Sequence, residues 1–134
     1  MSWTTPVTNW TSDRKFNLED YNRIKNNLKY LKTLADSIYR SFNITELGED
    51  LSDEEHWWSP IEINALEDAL DEIFRASALP INIGEKKSFQ YNGLFIQYLE
   101  LNRIESACLN IYTLAQSQAR TRKHLKLVLG GVQF

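Results

Sequence analysis

The sequence predicts a mainly α protein: a three-helix bundle with an extended N-terminal arm and a short C-terminal β-strand. Two observations carry that prediction. First, residues 20–37 and 100–117 read as two copies of one helix. Asp20-Tyr21-Asn22-Arg23-Ile24 matches Glu100-Leu101-Asn102-Arg103-Ile104, and Thr33-Leu34-Ala35 matches Thr113-Leu114-Ala115, at a single offset of 80. Second, a fainter third copy lies between them, where Ile63-Asn64-Ala65-Leu66-Glu67 leads to Leu70 and Ile73. Apolar residues recurring every three or four positions mark helices that bury one stripe. A repeated stripe means that the helices pack on one another.

Residues 1–15 read as an extended arm, and residues 16–134 as one helical domain ending in the strand. Pro6 sets a non-helical backbone in the arm. Asn17 then caps the first helix, with Asp20 placed to favour the exposed amides of the first turn. Leu18, Tyr21, Ile24, Leu28, Leu31, Leu34, Ala35, Ile38 and Phe42 form its buried stripe. Lys25, Lys29 and Lys32 fall off that stripe and are expected to face water.

Residues 43–58 read as an acidic loop ending in Trp57-Trp58. Ser59-Pro60-Ile61-Glu62 is a helix start: serine caps, proline suits the first turn, and glutamate returns to the cap's amide. The second helix buries Ile63, Leu66, Leu70, Ile73 and Phe74 and ends before Pro80. A connector over 79–93 follows, containing Gly84 and the turn signal Asn92-Gly93. The third helix begins near Gln97–Leu99, runs to about Arg120, and buries Ile104, Cys108, Ile111, Leu114 and Ala115. Leu125 to Leu129 alternates and is β-prone, and Gly130-Gly131 breaks it.

Composition narrows the function. At 134 residues, 43% hydrophobic and 25% charged, the chain has enough apolar side chains to build a core without disulfides or metal. No apolar run approaches the ~18 residues needed to span a membrane, so no membrane partner is expected. The N-terminus lacks the basic start and apolar stretch of a secretory signal. The single cysteine, Cys108, aligns with Leu28 and Leu70 and reads as a small core residue.

The net charge of −3 is unevenly spread. Eleven acids and no Lys or Arg fall between Arg40 and Arg75, while Arg120, Arg122, Lys123 and Lys126 make the far end basic. Such a split permits opposite-charge contacts within or between copies.

No chemistry stands out. His56 and His124 lack partners at metal-ligand spacing, and the acidic run Glu49–His56 lacks the alternation and central glycine of a calcium loop. Nucleophile elbows and phosphate-binding glycine loops are absent from the sequence. No catalytic residue, cofactor or metal is therefore expected, and the chain reads as a non-enzyme. Arg23 and Arg103 each follow an acid by three residues, a pairing worth ~0.2–0.5 kcal/mol in an isolated helix. Both are expected at equivalent inter-helix positions, where they would orient the bundle. Trp3, Trp10, Trp57 and Trp58 lie off the stripes and, with Phe134, are the candidate partner contacts. Arg120, Arg122 and Lys123 form a candidate phosphate-contacting patch, although the acidic pI of about 5.4 argues against nucleic acid as a partner.

The run Trp-Thr-x-Pro-x-Thr-Asn-Trp (Trp3 to Trp10), followed by Phe16 to Leu28, resembles small virion proteins of the tail and baseplate gene clusters of phages and prophages of Gram-positive bacteria. Their Trp-rich arm precedes a helix with a Leu-Asn-Arg-Ile-Glu signature, matched again here by Leu101 to Glu105. The resemblance covers the two ends of the chain better than its acidic middle. It implies a structural role in a phage particle, in the tail or baseplate. Partners would be other phage structural proteins and copies of this chain. Localisation would be the virion, and the host cytoplasm during assembly. It carries over no catalytic residues. Two rival readings are a connector protein touching DNA through Arg120, Arg122 and Lys123, and a small phage regulator that binds a host protein.

Overall fold

A computed structural model describes residues 3–39, 41–52, 59–77, 79–89 and 96–128, with side chains through Thr121. It is mainly helical, with α1 at Leu18–Ile38, α2 at Pro60–Ser77 and α3 at Tyr98–Val128. Each helix packs against the other two. Among the described residues there is no β-strand.

The helix starts follow the sequence signals. The Asp20 carboxylate accepts the Asn17 N–H at 3.0 Å. Ser59 Oγ accepts the Ile61 N–H, and Glu62 accepts the Ser59 N–H, each at 3.2 Å. The Gln97 carbonyl accepts the N–H groups of Glu100 and Leu101, each at 3.0 Å, at the start of α3.

Two ends differ from expectation. α1 stops at Ile38 rather than reaching Phe42, which packs against the core from the following segment. α3 continues through Val128, so the strand expected at Leu125–Leu129 is replaced by helix as far as it is described. Leucine and lysine are good helix formers, and with no breaker before Gly130 an established helix propagates one hydrogen bond per residue. Residues 129–134 lie outside the described residues.

The repeat extends to burial. From Tyr21 to Ala35, Ile63 to Ser77 and Leu101 to Ala115, the order of buried, half-buried and exposed residues agrees with one exception, at Asn110. The core comprises Ile24, Leu28 and Leu31 of α1, Leu66, Leu70 and Ile73 of α2, and Ile104, Cys108 and Ile111 of α3, all 1% exposed or less.

All three helices run the same way. Arg23 meets Glu105 near the starts of α1 and α3, and Tyr39 Oη meets Gln118 Oε1 at 2.5 Å near the far end of the α1–α3 pair. Between α2 and α3, Lys86, Lys87 and Phe89 descend along Asp68, Glu67 and Asn64, delivering the chain to the start of α3 beside the start of α2. Parallel helices need connections that return the full helix length. Here these returns are straps, numbered in chain order: residues 44–51 form the second and residues 81–89 the third, while residues 3–10 form the first.

Gly84 in the third strap adopts φ +79°, and a Cβ there would sit 2.5 Å from Arg103 Cδ. Gly48 in the second strap has φ +73° with nothing within 4 Å. Gly48→Ala is expected to lose only the backbone term, about 1–2 kcal/mol. Gly84→Ala loses that and also displaces Arg103. Urea titration of both variants isolates the Arg103 contact as their difference, and equal losses would show that the contact is slack.

Candidate functional site

One asparagine per helix, at the repeat's third position, ties down a strap. Asn22 of α1 accepts the Leu51 N–H (2.9 Å) and donates to the Leu51 carbonyl (2.8 Å). Asn64 of α2 does the same for Phe89, at 2.7 and 2.9 Å. Asn102 of α3 does the same for Trp10, at 2.7 and 3.0 Å. A carboxamide presents one acceptor and one donor side by side, as the edge of a strand does, so each clamp satisfies both backbone groups of one extended residue. The clamps close a ring: α1 holds the strap leading to α2, α2 that leading to α3, and α3 that leading to α1.

Three positions further along lie Lys25, Glu67 and Glu105, exposed by 0%, 1% and 1%. Each ion bonds the adjoining strap. Glu105 accepts the Val7 N–H at 3.1 Å and the Trp10 indole N–H. Glu67 accepts the Lys87 N–H at 3.2 Å. Lys25 Nζ lies 2.8 Å from Asp50 Oδ1. Lys25 is therefore buried rather than wet, because neighbouring helices and a strap together cover a wider arc than the apolar stripe marks.

The arginines answer these acids. Arg23 grips Glu105 with Nε and Nη2, each at 2.8 Å, and reaches Asp20 with Nη1 at 2.8 Å. Arg103 Nη2 donates to Glu67 Oε1 at 2.6 Å, and its Nε donates to Glu100 at 2.8 Å. The counterpart in α2 is Ala65, and the residue it would have met is Lys25. An arginine there would face a like charge, so the missing cation and the reversed sign match. Burial opposes the charge on both arginines, but their hydrogen bonds to Glu105 and Asp20, and to Glu67 and Glu100, outweigh it and raise their pKa values. The Lys25 and Asn26 hydrogen bonds hold Asp50 below the usual carboxylate range.

Of the tryptophans, Trp10 is 3% exposed and belongs to the core, not to a free surface. The Arg14 guanidinium lies 4.5 Å from its ring centre. Trp3 is half-buried, stacked on Tyr112 at 4.1 Å with Tyr30 at 5.9 Å. The arm is thus bound from Trp3 to Trp10, with Thr4 held by a fourth asparagine, Asn27, at 2.9 and 2.8 Å. Trp57, Trp58 and Phe134 lie outside the described residues. Arg120 is exposed, and the side chains of Arg122 and Lys123 are not among those described.

No protein-family model, curated protein or solved structure matches this chain. Its chemistry must be read from its own residues. Among the described residues no three His, Cys, Asp or Glu side chains converge to hold a metal. None of the described helices is long and apolar enough to cross a membrane.

Burial, with Glu62 adding to it, pushes Tyr21 up to about 12, and burial beside Glu105 pushes the Cys108 thiol up. Both folded pKa values are raised, so this stability is present at neutral pH and is lost as pH rises past the unfolded values. Unfolding free energy is expected to fall above pH ~8.5, by about 1.4 kcal/mol per pH unit for each group ionising only in the unfolded chain. Cys108→Ala is expected to remove the first part of that decline and Tyr21→Phe the part between pH ~10 and ~12. Urea titrations at pH 8 to 11 check the cysteine term.

Proposed function

We propose that the chain is a non-enzymatic structural component of a bacteriophage particle, in its tail or baseplate, acting through protein–protein contacts with other particle proteins and with copies of itself. The observation that carries this reading is how the repeat spends its polar groups. Arg23, Glu67, Arg103, Glu105 and the clamp asparagines bind one another or the straps. Such a unit supplies a fixed shape. The likeness of the Trp3–Trp10 arm and its helix to small virion proteins gives that shape a setting.

Mass spectrometry of purified particles tests the proposal. Peptides of this chain in stoichiometric amounts support it. Peptides found only in infected-cell lysate would overturn it in favour of a regulator of a host protein. The DNA-connector reading has one observation in its favour. α3 continues about ten residues, ~15 Å, past the counterpart of α1's last residue, and that stretch of sequence carries Arg120, Arg122 and Lys123. Duplex binding that weakens steeply with salt would favour it.

A further inference from the structure

The three strap sites are alike in their bonds but not in how the chain reaches them. The second and third straps continue directly from the helix whose asparagine clamps them. The first is clamped by α3, 92 residues away in sequence. Only that joint of the ring is closed without a short covalent path.

We propose that the groove between α1 and α3 is an exchange site whose partner is residues 3–10 of a second copy of this chain. Three features support it. The groove recognises the strap largely through backbone groups, at Thr4, Val7 and Trp10, with two rings as anchors, so a strap from another copy makes identical bonds. Residues 11–15, between Trp10 and α1, are exposed and joined by a single turn bond, from the Arg14 N–H to the Thr11 carbonyl at 3.2 Å. Beneath them, a cleft of about 600 Å³ lined by Thr11, Ser12, Lys15, Phe16, Ile96 and Leu101 leaves that segment loosely packed. Opening it sacrifices the Arg14 contacts to Trp10 and Asp20 and the tilted Trp10–Phe16 ring contact. When the same contacts form within one chain or between two, chain concentration and hinge strain decide between them. The proposal stands apart from the virion reading, since exchange needs only a second copy.

Single-cysteine chains test it, in a Cys108→Ala background. Thr4→Cys chains are mixed with Asn27→Cys chains, concentrated to the millimolar range, held under mild oxidation and weighed intact. Exchange is expected to give the mixed Thr4→Cys/Asn27→Cys dimer at least tenfold over either homodimer. A Thr4→Cys/Asn27→Cys double variant that closes internally, with mixed dimer no more abundant than homodimers, would overturn the proposal. Independently, deleting Ser12, Asp13 and Arg14 keeps the strap from its own groove. Light scattering should then find dimers or larger closed rings with unchanged helicity, and a helical monomer would count against exchange.

Discussion

Replacing Arg23 with methionine is expected to lower the unfolding free energy by about 3–5 kcal/mol, because it leaves the buried Glu105 carboxylate without its cation and Asp20 with Arg14 alone. Glu105 is 1% exposed and Asp20 4%, so neither regains water when the guanidinium goes. The methionine fills much of the space, which leaves the loss mainly electrostatic. Against the 5–15 kcal/mol typical of a domain, that is a large fraction of the whole. A second substitution separates charge from packing. In Arg23→Met/Glu105→Gln the orphaned charge is gone while the Val7 N–H keeps an acceptor, and the double variant should recover part of the loss. Urea titration of the two single variants and the double supplies the cycle. A loss under 1 kcal/mol in Arg23→Met would mean that the bridge contributes nothing net.

Trp10→Ala should have an effect of similar size, about 3–5 kcal/mol, through a different mechanism. It empties a core site between the strap and the start of α3, and it removes the indole N–H donated to Glu105. Trp10→Phe keeps part of the volume and loses the donor, so it should fall between wild type and alanine. The alanine variant should also release the arm. Limited proteolysis would then cut within residues 3–15 at protease levels that leave the intact protein whole. If the arm stays protected, Asn102, Asn27 and the Trp3 stack hold it without the indole.

The helices were legible in the sequence because their stripes and caps are local signals. Asn17 and Ser59 mark starts wherever the chain goes afterwards, and 3–4 spacing depends on no neighbour. The i,i+3 partners of Arg23 and Arg103 were readable for the same reason. Their long-range partners, Glu105 and Glu67, depend on how the helices are rotated against one another, which spacing does not encode. Lys25 falls off the apolar stripe yet is buried, because the strap completes its cover. Yet a signal was there. Asn22, Asn64 and Asn102 stand at one repeat position, and an asparagine kept in place on three helices is hard to explain by helix propensity. The arm was expected to be free for partners because extended segments rich in Thr and Trp carry no local sign of what holds them. The strand expected from Leu125 gives way to helix as far as Val128 for a simpler reason: alternation over five residues is weaker than a helix already 27 residues long.

The ring also dictates when the protein can finish folding. Trp10 emerges from the ribosome before α1, but the asparagine that receives it belongs to α3, 92 residues later. Until α3 is synthesised, the arm's two indole rings have no home and the nascent chain presents them to whatever is near. Closure therefore waits for α3, and contacts spanning so much sequence make folding slow for a helical protein. Crowded synthesis of many copies at once is the circumstance in which an early arm would first meet another chain's finished third helix.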